Sequence, residues 1–232
     1  MSAAKDERLL DRAWERLREY KVEKPLSEFL QRFPHATKAY LVGGFLRDLL
    51  RAETTGVATR PKDIDLIIDT KDLEAILKAS PGYLSGTPLG GYRWKPRGTT
   101  FWLDIWQLHD TVWIKELRLP VTIESFLDGV DLNIDRVALE LHTGEFFNGK
   151  CREALSGRMI EIDSRVRIKE LMYDEFARAL MASYKTGFSL TESLSKRIYS
   201  ADPAQLRRRA VERLRADDYA DEDIRAALRQ LA

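Results

Sequence analysis

Two glycines set between a short apolar run and a helical pattern constrain this chain more than any other feature. Tyr40-Leu41-Val42 has the length and character of a buried strand. It stops at Gly43-Gly44, after which Phe45, Leu46, Leu49 and Leu50 recur at helical spacing. Strand, Gly-Gly, helix is a geometry in which bare backbone N–H groups and a helix N-terminus can face a phosphate, with Arg47 near the first turn. Downstream, Lys62-Asp63-Ile64-Asp65-Leu66-Ile67-Ile68 reads as a second strand. Asp63 and Asp65 are two apart on it, so both carboxylates project from one face and Ile64 from the other. Adjacent carboxylates repel unless a cation sits between them, and oxygen ligands suit Mg²⁺. For either signal alone, a plain turn or two solvated strand-end acids is the favoured reading. Their order and spacing together reverse that.

The whole chain sets wide bounds. Its 232 residues, 44% hydrophobic and 32% charged, suit a catalytic domain with a helical companion. A formal charge of +1 gives no global field for nucleic acid, so any such contact has to come from a local patch. The one cysteine, Cys151, excludes an internal disulfide and a cysteine zinc cluster. No apolar run approaches the ~18 residues of a membrane span. The charged start, Lys5-Asp6-Glu7, lacks a signal-peptide core, and the expected location is the cytoplasm.

Helical spacing marks residues 5–20 (Leu10, Ala13, Trp14, Leu17) and 25–33 (Leu26, Phe29, Leu30, Phe33). Residues 51–61 lack periodicity and are predicted as a mobile loop, whose Arg51 and Arg60 either reach a phosphate or stay solvated. Leu73, Ile76 and Leu77 mark a helix. The resulting strand–helix–strand–helix order suggests a mixed sheet with packed helices. Residues 82–98, with Gly82, Gly86, Gly90, Gly91 and Gly98, read as punctuation rather than packing, with a possible turn at Gly90-Gly91. Residues 100–108 are nearly all apolar and read as a central strand, which puts Asp104 on one face with Trp102 and Trp106. A lone carboxylate there is costly unless it is metal-bound or paired with an arginine. Residues 131–141 alternate and turn at 142–145, a hairpin signature.

The pair Leu41-Val42-Gly43-Gly44-Phe45-Leu46-Arg47-Asp48 and Lys62-Asp63-Ile64-Asp65 resembles the head of the tRNA CCA-adding enzyme and bacterial poly(A) polymerase family, within the polymerase β-like nucleotidyltransferases. The resemblance implies an α+β fold: a nucleotidyltransferase head with a mixed β-sheet and flanking helices, then a small C-terminal helical domain. It divides the chain into N-terminal helices packing on the head (1–34), a catalytic head (35–150) and a helical neck-like domain (151–232). It implies that Gly43, Gly44, Arg47 and Asp48 help hold a nucleoside triphosphate, and that Asp63 and Asp65 bind two Mg²⁺ ions with Asp104 as the third acid. Asp131, Asn133 and Asp135 occupy the family's second motif, but Gly129 and Val130 stand where it has two arginines; Arg136 is the candidate to compensate.

From about Ile168 the period becomes helical, with four helices around Leu171–Leu180, Leu190–Ile198, Leu206–Leu214 and Ile224–Leu231. Tyr173-Asp174-Glu175-Phe176-Ala177-Arg178 resembles the family's base-reading motif, which gives Asp174 and Arg178 a nucleotide-binding role; a surface ion pair is the equal alternative. The basic run Arg207-Arg208-Arg209 reads first as a solvated helix face. The implied activity is Mg-dependent transfer of NMP from an NTP to an acceptor hydroxyl, foremost a tRNA-like RNA 3′ end. The alternatives are a stand-alone transferase acting on a protein or small molecule, or a non-catalytic nucleotide- or RNA-binding module. No membrane partner is expected, and the oligomeric state stays open.

Overall fold

A computed structural model of the protein describes residues 4–56, 60–87, 90–162 and 172–231. The chain divides into two compact units, residues 1–129 with 135–149, and residues 130–134 with 150–232. The segment 130–134, expected within the head, thus groups with the helical part.

The first unit runs β1 (Ala4–Lys5), α1 (Glu7–Glu19), α2 (Glu23–Leu30), β2 (Ala39–Val42), α3 (Gly43–Thr55), β3 (Ile64–Ile68), α4 (Leu73–Lys78), β4 (Gly82–Gly86), β5 (Tyr92–Pro96), β6 (Leu103–Gln107), α5 (Val112–Leu117), α6 (Ile123–Gly129), β7 (Val137–Glu140) and β8 (Glu145–Asn148). Among the described residues its strands form one eight-stranded mixed sheet in the order β1-β8-β7-β2-β3-β6-β5-β4, in which β3 and β6 pair in parallel and the other neighbours antiparallel. On one face Tyr40, Val42, Ile67 and Ala138 pack against Ile114, Ile123 and Leu127 of α5 and α6. On the other, Trp94 of β5 meets Phe29 of α2, with ring centroids 4.9 Å apart. Side-chain alternation along each strand produces this division.

Three expectations are corrected here. Residues 51–55 are the last turns of α3, because Arg51, Ala52 and Glu53 are good helix formers and the stop comes only at Gly56, left-handed at φ 67°; residues 57–59 of the expected loop lie outside the described residues. Within residues 82–98, β4 and β5 pair as antiparallel strands, since pairing of β5 with β6 and burial of Trp94 outweigh the glycines; residues 88–89 lie outside the described residues. Residues 133–135 form a single 3₁₀ turn, so the strand expected from 131 starts at Val137.

The β7–β8 turn is tied by a buried acid. Glu140 accepts from the backbone N–H groups of His142 (3.0 Å) and Thr143 (2.5 Å) and from the Thr143 hydroxyl (2.7 Å). Losing these contacts, and the longer one from Ala39 N–H at 3.5 Å, leaves their donors without the carboxylate, so Glu140→Ala is expected to cost about 2 kcal/mol. A urea melt measures this, and Glu140→Gln should recover part of the loss.

The second unit holds α7 (Cys151–Gly157), β9 (Met159–Ile160), α8 (Met172–Thr186), β10 (Ser189–Leu190), α9 (Glu192–Tyr199), α10 (Pro203–Ala216) and α11 (Asp221–Leu228). The expected helix start at Ile168–Leu171 lies outside the described residues. Thr191 caps α9 and Asp202 caps α10, with Pro203 opening the latter. Leu194, Ile198, Leu206, Ala210, Leu214, Ile224 and Leu228 form the buried seam. The short parallel pair β9–β10 and α7 were not visible in the sequence pattern. Among the described residues no helix is long and apolar enough to cross a membrane.

Candidate functional site

The site grows from the end of β2. Val42 is extended, Gly43 turns left-handed at φ 68°, and α3 begins at once. The turn needs glycine for two reasons. A side chain is strained at that φ, and a Cβ on Gly43 would come 3.1 Å from Asp65 Oδ2. The Gly-Gly turn therefore lies directly beside the first strand carboxylate. The opening N–H groups of α3 have no intrahelical acceptor, as at any helix start.

Sheet register brings the next acid alongside. Asp65 pairs with Val42 on one side and with Asp104 of β6 on the other, and Asp104 pairs with Arg93 of β5. One row on one face thus reads Val42, Asp65, Asp104, Arg93, with neighbouring strands ~4.8 Å apart. Asp63 precedes β3 with the same parity, and the N–H of Ile64, the first residue of β3, donates to the carbonyl of Trp102, the residue before β6.

Arg93 is the residue of this row that sequence reasoning missed. Its Nε and Nη2 donate to the two oxygens of Asp104 at 2.8 and 3.1 Å, and Nη2 lies 3.7 Å from Asp63 Oδ2. The signal was the alternation Tyr92-Arg93-Trp94-Lys95, hidden inside a stretch dominated by glycines. Asp104, the expected third acid, lies in register with Asp65 and pairs with Arg93. Among the described residues no three His, Cys, Asp or Glu side chains are grouped as a metal cluster, and both oxygens of Asp104 accept from the fork-shaped Arg93 guanidinium. The donor set of Asp63 and Asp65 fits Mg²⁺ by its chemistry, two carboxylates supplying hard oxygen ligands.

Arg47 lies back against the helix start. A Cβ on Gly44 would sit 3.4 Å from Arg47 Nη2, an ordinary contact distance, so the guanidinium lies just over the second glycine. Arg47 donates to Asp48 Oδ1 at 2.8 Å and to Asp135 Oδ1 at 2.6 Å. Asp135, which occupies the second motif, thus meets the first motif through Arg47.

The other candidates turn elsewhere. Arg136 is buried and donates to the Asp128 carbonyl at 3.4 Å. In the second unit, the Asn133 amide donates to the Met159 carbonyl (3.1 Å) and accepts from Glu161 N–H (2.9 Å), a latch between backbone segments. Asp131 accepts from Arg178 at 2.5 Å. Asp174 accepts from Arg209 of α10 at 3.0 Å, which gives the third arginine of the basic run an internal partner. A cavity of about 550 Å³ in this unit is lined by Leu180, Tyr184, Phe188, Ile198 and Gln230 among others, with no charged side chain among the described lining residues.

No protein-family model and no curated protein matches the chain. Solved structures do. A CCA-adding enzyme in its apo form II matches at TM-score 0.67 and 18% identity, over 100% of this chain and 56% of that one. The Thermotoga maritima CCA-adding enzyme complexed with tRNA matches at TM-score 0.62 and 20% identity, over 100% and 51%. A tRNA nucleotidyltransferase complexed with a primer tRNA and an incoming ATP analogue matches at TM-score 0.61 and 19% identity, over 84% and 56%. The chain spans about half the length of these structures, and what it shares with that half is the fold.

Proposed function

We propose that the protein is a Mg-dependent nucleotidyltransferase that moves NMP from an NTP to an acceptor hydroxyl, foremost at an RNA 3′ end. The observation that carries this reading is the approach of Gly43 to Asp65, with Asp104 in register on the next strand. A glycine turn, two carboxylates and a guanidinium thus meet within one patch of sheet.

In the proposed reaction the acceptor oxygen bonds to the α-phosphorus, the bond to the β-phosphate oxygen breaks, and pyrophosphate leaves; the hydroxyl proton passes to solvent. Gly43 and Gly44 N–H groups and the α3 N-terminus receive phosphate oxygens. Asp63 and Asp65 would hold the metal. Two Mg²⁺ ions there would supply charge neutralisation at the phosphates and ease loss of the hydroxyl proton. Asp104 holds Arg93 beside Asp63, where a fixed cation meets phosphate charge. The like fold of proteins described with CTP, ATP and tRNA supports this choice over a non-catalytic module.

The test is incubation with labelled NTPs, Mg²⁺ and total RNA. Label is expected on RNA, and EDTA should remove it until Mg²⁺ is restored. Label on protein instead would favour the stand-alone transferase, and no label with tight nucleotide binding would favour the module.

A further inference from the structure

The two flanks of the carboxylate row differ in chemistry. On the β2 side lie the glycine turn and the start of α3. On the β5–β4 side lies an aromatic and cationic surface on the same face of the sheet. Register places Tyr83 of β4 opposite Lys95 of β5. Trp102 precedes β6 with the parity of Asp104, and its backbone pairs with the start of β3 beside Asp63. The side chains meet as register requires. The Tyr83 and Trp102 rings stand edge to face with centroids 5.6 Å apart, and Lys95 Nζ and the Arg93 guanidinium lie 5.5 and 5.8 Å from the Trp102 ring. Tyr83 is 64% exposed, although a tyrosine on a sheet face ordinarily packs. Exposed Arg97 follows on the same chain segment.

We infer that Tyr83, Trp102 and Lys95 form a platform for the single-stranded 3′ end of a nucleic-acid acceptor, with bases stacked on aromatic rings and phosphates met by Lys95 and Arg97. This rests on the nucleotidyltransferase reading of the adjoining acids and names its acceptor surface. Rings with π-faces beside lysine and arginine are the chemistry that binds single strands without reading sequence. The row Asp63, Trp102, Lys95, Tyr83 spans three strand spacings of ~4.8 Å, so Tyr83 lies about 14 Å from the acid and under nucleotides upstream of the reacting end. Charge complementarity favours an anionic strand over an apolar peptide.

The experiment uses the full chain and a short fluorescein-labelled single-stranded oligoribonucleotide, read by anisotropy across a salt series. Wild-type protein should bind it. Tyr83→Ala should weaken binding about 10-fold, within the range for loss of one base–aromatic stack. Lys95→Ala should lower the slope of log K against log[salt] by about 0.7. ATP binding should be unchanged in both variants, and Tyr83, being exposed, is removable without unfolding. Wild-type affinity retained by Tyr83→Ala and Lys95→Ala together overturns the platform, even if NMP transfer to RNA is observed. No oligonucleotide binding by wild type, or binding of a protein at this surface in its place, overturns it too. Binding lost in the variants while wild type transfers nothing leaves the platform standing and overturns the transferase reading.

Discussion

Asp65→Asn is expected to lower nucleotidyl transfer at least 10³-fold, about 4 kcal/mol of barrier, while the protein stays folded. The amide keeps the shape of the side chain beside Gly43 and removes its charge. If the carboxylate is there for a divalent ion, the loss is chemical and not architectural. Stability should hold or rise slightly, because Asp65 and Asp104 are like charges on adjacent strands. Primer-extension rates with the urea midpoint measured on the same preparation separate the two effects. A folded Asp65→Asn protein that keeps a tenth of the wild-type rate would remove the metal role from this strand.

The second large effect concerns folding. Arg47→Ala leaves Asp48 and Asp135 facing each other's neighbourhood without the guanidinium that joins them, and all three side chains are mostly buried. Breaking such a pair by removing one partner costs more than the pair contributes, because the remaining charge stays in a poor solvent. Partial exposure discounts this, and a loss of about 2–3 kcal/mol is expected from denaturant unfolding. Arg47→Lys should recover less than half, since an ammonium cannot reach both carboxylates with the geometry of a fork. An Arg47→Ala protein as stable as wild type would show that this arginine serves ligand alone.

The strand, glycine turn and Asp-x-Asp strand were legible because they use strong local signals, short apolar runs in β2 and β3 and a glycine pair set between strand and helix. Arg93 was not, because what makes β5 a strand is its partner β6, and sequence periodicity holds no record of a neighbour. The second motif failed for a different reason. Alternation puts Asp131, Asn133 and Asp135 on one face, but the 3₁₀ turn at 133–135 rotates the chain between them. Asp131 and Asn133 then bond within the second unit, while Asp135 meets Arg47 in the first. The acid–arginine pattern of α8 was legible as a motif, yet its partners, Arg209 and Asp131, come from far along the chain.

The grouping of residues 130–134 with 150–232 has a practical consequence for anyone dissecting the molecule. Leu132 and Ile134 are fully interior, and Leu132 bridges to Ile162 while Asn133 latches onto residues 159 and 161. A fragment beginning at residue 150 would carry every helix of its bundle yet leave an apolar slot where those side chains belong. Such a piece should be sticky in isolation, and a peptide supplying residues 130–134 in trans should quieten it.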